Sequence, residues 1–418
     1  MSVLDSGLSL RAHVALEVGR TANVVSRRLR LGDGTTIGGV TALALDPQLL
    51  SECTAGRSVI VVSGTNGKTT TTRMLTSVWA SRRRVASNSS GANLPASHVV
   101  ALAADPSARA AVLEVDEGHL RSVCRDVRPS MVVMLNLSRD QLDRMSEVRH
   151  VAAEWRALAE ELPDGCVVVA NADDPMTVWA ASAAAHTVWV AAGQPWTRDT
   201  ILCPACGELI ARSELDWWCS SCDLRRPLPD LALDGDQVLL RGGQKTALHL
   251  RLPGRANRAN AVFTLGAAGS LGISLQDALP LIGALASVGG RYEVVKIAGC
   301  HLRLLLAKNP AGWLETLEML DESHGPVLIG VNARAADGRD TSWLWDVPFE
   351  RLRGRQVLAV GDRRVDLAMR LDHAGVDVTV VEDLDADLAG LSKNGVSDID
   401  CALTYTAFQD IRRHASEQ

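Results

Sequence analysis

A chain of 418 residues with 43 Lys and Arg against 49 Asp and Glu has room for two or three domains, and its net charge of −6 excludes the basic excess of a general nucleic-acid binder. No apolar run reaches membrane-spanning length, and the stretch MSVLDSGLSLRAHVALEVGR lacks the apolar centre of a signal peptide, so a soluble cytoplasmic protein is expected. Nine cysteines then have no secretory context to pair them, and only five lysines (68, 245, 296, 308 and 393) are available for chemistry.

Apolar residues at Leu10, Val14, Leu16, Val18, Val24 and Val25 predict an amphipathic helix over 10–31, ended by a turn at Gly32, Gly34, Gly38 and Gly39. Residues 1–50 read as a helix and linker packed on the neighbouring domain. The next stretch, SVIVVSGTNGKTTTT (58–72), organises the rest. Its β-branched run predicts a buried strand, its glycines a turn, and RMLTSVWASRRR beyond it a helix. Strand, glycine turn and helix N-terminus together cradle a phosphate. Gly64, Thr65, Asn66 and Gly67 would supply backbone amides, Lys68 would reach the β/γ-phosphates, and Thr69 or Thr70 would hold Mg²⁺. A standard P-loop has glycine where this chain has Val62.

A glycine-broken loop, VASNSSGANLPAS, precedes the strand of AAVLEVDEGHL, at whose end Glu114, Asp116 and Glu117 come within reach of a metal on the bound phosphates. SMVVMLNLSRDQLDR gives another buried strand leading to Asn136, Arg139, Asp140, Gln141 and Asp143; a helix and the strand CVVVANADDP come next. This alternation predicts a parallel, helix-covered sheet. In CPACGELIARSELDWWCSSC, two Cys-x-x-Cys knuckles (Cys203, Cys206, Cys219 and Cys222) fit tetrahedral thiolate coordination of one Zn²⁺. With four sulfur ligands the zinc would be structural, and Trp217 and Trp218 would dock the ribbon on a neighbour. The remaining cysteines sit in apolar contexts and read as core. Residues 228–252 alternate like a hairpin, and LPGRANRANAVF sets Asn257 and Asn260 on one helix face. GGRYEVV reads as a domain boundary, beyond which a second α/β unit contains the polar–aromatic stretch DGRDTSWLWD (337–346), expected to line a site or an interface.

GTNGKTT, LEVDE, LNLSRDQLDR, NADDP and GxxNxxN, in this order, resemble the Mur ligases and the related folylpolyglutamate synthases. The resemblance implies an α/β fold with three parts: an N-terminal helix and linker (1–50), a central ATP-binding domain (51–295) with a zinc-ribbon insertion (201–225), and a C-terminal Rossmann-like domain (296–418). The chain leaves no room for the family's UDP-sugar domain, has no lysine between Lys68 and Lys245 to be carbamylated, and carries Gln141 in place of a metal-binding histidine. The inserted ribbon, AKNPAGW and ADGRDTSWLWD are instead similar to the MurT branch, the synthetase subunits of lipid II isoglutaminyl synthase; the branch's DNAAD reads ARAAD here.

That resemblance implies ATP-dependent amidation of the α-carboxylate of D-glutamate in the lipid II stem peptide, through an acyl phosphate, at the inner face of the plasma membrane. Lys68 and the loop amides would neutralise ATP, Thr69 with Glu114 or Glu117 would hold Mg²⁺, and Asn257 and Asn260 would lie near the base or ribose, with Asp174 in the same region. No cysteine sits in a glycine-flanked elbow, so ammonia would come from a GatD-like class I glutamine amidotransferase partner. Asp337, or next Asp340, would complete that partner's Cys–His pair. The competing expectations are a Mur-type ligase that adds an amino acid to a peptidoglycan precursor or folate-like substrate, and a non-catalytic scaffold that binds nucleotide and zinc.

Overall fold

The computed structural model describes residues 8–28, 35–88, 91–139, 148–289, 291–321 and 323–417. Eleven strands precede residue 250: β1 Ser58–Ser63, β2 Val85–Ser87, β3 Ala110–Glu114, β4 Met131–Met134, β5 Val167–Asn171, β6 His186–Ala191, β7 Ile210–Arg212, β8 Trp217–Cys219, β9 Leu231–Asp234, β10 Gln237–Leu240 and β11 Lys245–Ala247. Nine form one sheet in the order β11-β10-β9-β6-β5-β4-β1-β3-β2, parallel from β2 to β9 and closed by the expected antiparallel hairpin. β1 lies between β3 and β4, buried on both faces, which is why its sequence is a continuous β-branched run. The helices Lys68–Ala80 and Arg255–Ser270 cover one face of this sheet with Met74, Leu75, Val262 and Leu265.

A second sheet holds β12 Tyr292–Ile297, β13 Cys300–Leu306, β14 Val327–Gly330, β15 Gln356–Val360, β16 Asp377–Val380 and β17 Asp398–Leu403, ordered β12-β13-β17-β14-β15-β16. It begins at Tyr292, ahead of the boundary expected at residue 296, because GGRYEVV leads straight into a strand that pairs with β13. Trp313 on the helix Pro310–Leu320 stacks on Trp343 at 6.1 Å and meets Phe349 edge-on, so part of the DGRDTSWLWD stretch is core. β7 and β8 form the separate ribbon.

The N-terminal region departs from the pattern expected of its sequence. The first helix is Leu10–Arg28, and Gly38 and Gly39 lie inside a second helix, Thr35–Leu45, rather than in a turn. Gly32 and Gly34, like Asp140, Gln141 and Asp143, lie outside the described residues. Among the described residues no helix is long and apolar enough to cross a membrane.

Candidate active site and metal centre

β1 delivers the chain to Gly64 at the carboxyl edge of the first sheet, where α/β proteins bind their ligands. Gly67 adopts φ 88° and starts the helix Lys68–Ala80 with no side-chain cap, leaving the first-turn amides to a ligand. A Cβ at Gly67 would stand 2.3 Å from Asn260 Oδ1, so only glycine passes beneath that asparagine. Asn136 locks the loop from the other side: its Oδ1 accepts from the Asn66 amide at 3.0 Å, and its Nδ2 donates to the Asn66 carbonyl at 3.0 Å. Thr65 is tied to Ser138 in the same two-way fashion.

The buried Lys68 ammonium donates to the Gly64 carbonyl and pairs with Glu117 at 2.9 Å. Thr69 Oγ1 donates to Glu114 Oε1 at 3.0 Å, while Glu114 Oε2 is buried with no hydrogen-bond partner. A carboxylate oxygen left without a partner beside a threonine hydroxyl fits a hard divalent cation such as Mg²⁺. Glu114 is itself fixed by Asn88, which exchanges two 2.8 Å bonds with its backbone, and by His98, whose Nε2 lies 2.8 Å from its carbonyl. A carbonyl can only accept, so His98 is protonated at Nε2, and burial pushes its pKa down to about 4.

Across the loop lies a cavity of about 140 Å³ between the two sheets, walled by Thr65–Thr70, Asn257, Asn260, Arg291, Lys308 and Thr316. Arg291 Nη2 donates to Thr69 Oγ1 at 3.3 Å, and Asn309 exchanges amide hydrogen bonds with Asn66 at 3.3 Å. Arg255 pairs with Glu315, so the second unit is held against the first around the phosphate loop. The cavity can gather Lys68, Arg291 and Lys308 around an anion, and Glu114 stands behind its Thr69 wall.

The four ribbon sulfurs lie within 4.8 Å of one another. Cys219 Sγ accepts amide hydrogen bonds from Ser221 and Cys222, both at 3.4 Å, and these amides pull its thiol down to about 6. A set of four converging sulfurs with amide support suits a soft or borderline ion and leaves no open position. Trp217 is buried and donates Nε1–H to the Ala172 carbonyl at 3.0 Å, docking the ribbon on the exit of β5; Trp218 points outward.

Residues 62–197 match the Mur ligase middle domain, and residues 306–408 match the MurT ligase C-terminal domain. Two stretches of the chain thus match domains of the Mur ligases. The middle-domain match, with the relatives below, indicates an ATP-dependent ligase. It is 28% identical to the lipid II isoglutaminyl synthase (glutamine-hydrolyzing) subunit MurT of Staphylococcus aureus over 90% of this chain and 91% of that protein. It is 27% identical to the MurT subunit of Streptococcus pneumoniae over 97% of both. In fold it is similar to a pseudomurein peptide ligase type C from Methanothermus fervidus (TM-score 0.67, 17% identity, 89% of this chain and 81% of that one). It is also similar to MurF from Acinetobacter baumannii (TM-score 0.65, 16% identity, 90% and 80%).

In this chain Thr65 to Thr70 and Asn260 border one cavity, and Gly64, Glu117 and Glu114 join them through hydrogen bonds to Lys68 and Thr69. Asn257 also borders the cavity, but its Nδ2 turns back to the Pro253 carbonyl at 2.6 Å. Asp174 does not join them. It is fully buried, caps the helix Pro175–Ala181 through the Met176 amide, and accepts from Leu137 N at 2.7 Å, so it braces the strand exits from beneath. Asp337 is buried too, its carboxylate taken by Thr406 N at 2.8 Å, Thr406 Oγ1 and the Arg334 amide. Asp340 is exposed and accepts from Ser342 N at 2.8 Å, which holds its carboxyl below the usual range. Arg291 and Asn309 are site residues that sequence reasoning missed: the arginine sits in what looks like a domain boundary, and its signal is the GGR turn before a strand.

Proposed function

We propose that this protein is a Mur-type ligase, the synthetase subunit of a lipid II isoglutaminyl synthase, converting the α-carboxylate of the stem-peptide D-glutamate to an amide with ATP and ammonia. What supports the substrate is similarity along nearly the whole length to MurT subunits. What carries the chemistry is the buried Glu114–Thr69 pair with one free carboxylate oxygen beside an amide-lined loop. A carboxylate oxygen of the substrate would attack the γ-phosphorus, ADP would leave, and ammonia would then displace phosphate from the acyl carbon with loss of a proton. Each step demands charge neutralisation and placement more than covalent help from the protein.

Lys68 would exchange Glu117 for the β- and γ-phosphate oxygens, and Arg291 is placed to join it. Glu114 and Thr69 would hold Mg²⁺, which when bound offsets phosphate charge. Asn257 and Asn260 would border the nucleoside, and Cys203, Cys206, Cys219 and Cys222 would hold a structural Zn²⁺. The glutaminase would be a separate GatD-like subunit. Cys53, Cys124, Cys166, Cys300 and Cys401 are all buried, with thiols pushed up by burial, so none is an activated nucleophile. Of the two candidate aspartates, Asp340 is the one a partner could reach, since Asp337 is committed to Thr406. The reaction would take place at the inner face of the plasma membrane.

The test is an amidation assay on lipid II with the chain alone and with the co-expressed glutaminase subunit. Glutamine-driven amidation is expected only for the pair, with weak ammonium-driven amidation by the chain alone. Glutamine hydrolysis by this chain alone, or an amino acid joined in place of ammonia, would contradict the reading.

A further inference from the structure

The helix Leu10–Arg28 is built inside out. Its inward side carries Ala12, Ala15, Gly19, Asn23 and Ser26, all buried, while the aliphatic residues face solvent: Leu10 is 79% exposed and Val14 54%, with Val18 and Val25 on the same side. The stripe continues onto the helix Thr35–Leu45 through Ile37, which borders one surface cleft with Val18 and Val25; Val40 on the same helix is 55% exposed. Sequence periodicity alone would have turned these residues inward. The small residues opposite decide otherwise, because they let backbones touch. A Cβ on Gly38 would lie 2.4 Å from the Gly19 carbonyl oxygen, and one on Gly39 only 2.0 Å from that of Ala96. The helix pair is therefore seated on the start of the helix Pro95–Ala104, directly after the loop whose Asn88 fixes Glu114.

We infer that this ridge is the surface by which the protein lies on an anionic lipid bilayer. Contiguous exposed aliphatic residues on a globular fold mark a binding face. Exposed Arg11, Arg20 and Arg28 lie along the ridge, Arg11 beside Asp46 and Arg20 paired with Glu17, and residues 1–46 hold five arginines against four carboxylates in a chain of net charge −6. An aliphatic stripe between basic residues matches the apolar depth and negative headgroups of an inner-leaflet surface. Protein interfaces are enriched in aromatic anchors, and residues 8–45 contain no Phe, Tyr or Trp. Self-pairing would bring the arginine rows of two copies together. The inference rests on the proposed function in one respect: a lipid-linked substrate is met at a bilayer, and the ridge stands on the helix that adjoins the metal side of the phosphate loop.

Flotation of the full-length, zinc-loaded protein with phosphatidylglycerol/phosphatidylcholine vesicles tests it. Wild type is expected to float with anionic vesicles and not with pure phosphatidylcholine. The exposed-site variant Val14→Ser/Val18→Ser/Val25→Ser is expected to lose at least tenfold in the vesicle-bound to free ratio with an unchanged melting temperature. Arg11→Gln/Arg28→Gln is expected to lose several-fold, and only at low salt. Lys68→Ala is expected to float as wild type does. Equal flotation of the triple-serine variant, or no flotation of wild type, would overturn the inference. So would sedimentation showing a dimer, or a glutaminase complex, that the triple-serine change abolishes. Flotation needs no turnover, so failed amidation with normal flotation would count against the proposed reaction alone, and the reverse against the ridge alone.

Discussion

The phosphate loop and the cysteine ribbon are both tight turns that aim backbone amides at a small charged target, but they leave their polar atoms in opposite states. In the ribbon, Cys203, Cys206, Cys219 and Cys222 face one another, so any ion there has its four positions filled by protein sulfur. In the loop, residues Thr65 to Thr70 border a cavity shared with Arg291 and Lys308 of the following unit, and behind Thr69 the Glu114 Oε2 has no hydrogen-bond partner. A closed donor set fastens the fold, whereas an open one admits and releases a ligand. The same lesson separates two aspartates at strand exits: Asp337 is fully used by Thr406, and Asp340 is held at the surface by one amide.

Breaking the open site should cost most. Lys68→Ala is expected to lower ATP-dependent turnover by roughly 10²–10³-fold, the scale of losing one preorganised charge in a transition state, with zinc content unchanged by metal analysis. Next, Glu114→Gln should raise the Mg²⁺ concentration for half-maximal turnover by about tenfold or more, read from a magnesium titration, while Glu117→Gln should move it less because Glu117 faces Lys68. For the closed site the pattern inverts. Cys206→Ser is expected to abolish stoichiometric zinc and speed amide exchange across β7 and β8, yet change ATP affinity by no more than about threefold, since Trp217 docks the ribbon beyond β5, away from the phosphate loop after β1. A direct loss of ATP binding would erase the distinction.

The smallest expected effect is on acid stability. His98 is neutral in the folded chain with a pKa near 4, against 6.5 when exposed. Its folded form takes up fewer protons, so its contribution is fully present above pH 6.5 and is lost as pH falls from there toward 4, by at most about 3 kcal/mol. Chemical denaturation at pH 7 and pH 5 should show that slope, and His98→Gln should flatten it.

The parts of this molecule that were legible in the sequence are those where chemistry forces residue type. Gly64, Gly67 and Lys68 are dictated by the geometry of holding a phosphate, and the two Cys-x-x-Cys knuckles by tetrahedral coordination. The rest was hidden where packing outweighs pattern. β17 is a central strand of the second sheet although it carries Asp398 and Asp400, because Asp400 is neutralised by Arg303 at 2.6 Å. Asp174 had the look of a ligand residue at a strand end, yet Leu137 and Met176 amides consume it. The N-terminal helix carried a helical period but not its direction, since the inward side is set by glycine and alanine contacts that a hydrophobic pattern does not weigh.

The central claim is that the open loop passes a phosphoryl group from ATP to a carboxylate. Its most direct test is to run one turnover with lipid II labelled with ¹⁸O in the D-glutamate α-carboxylate and to weigh the inorganic phosphate released. One ¹⁸O per phosphate formed is the expected result. Phosphate free of ¹⁸O alongside amide product would contradict the account.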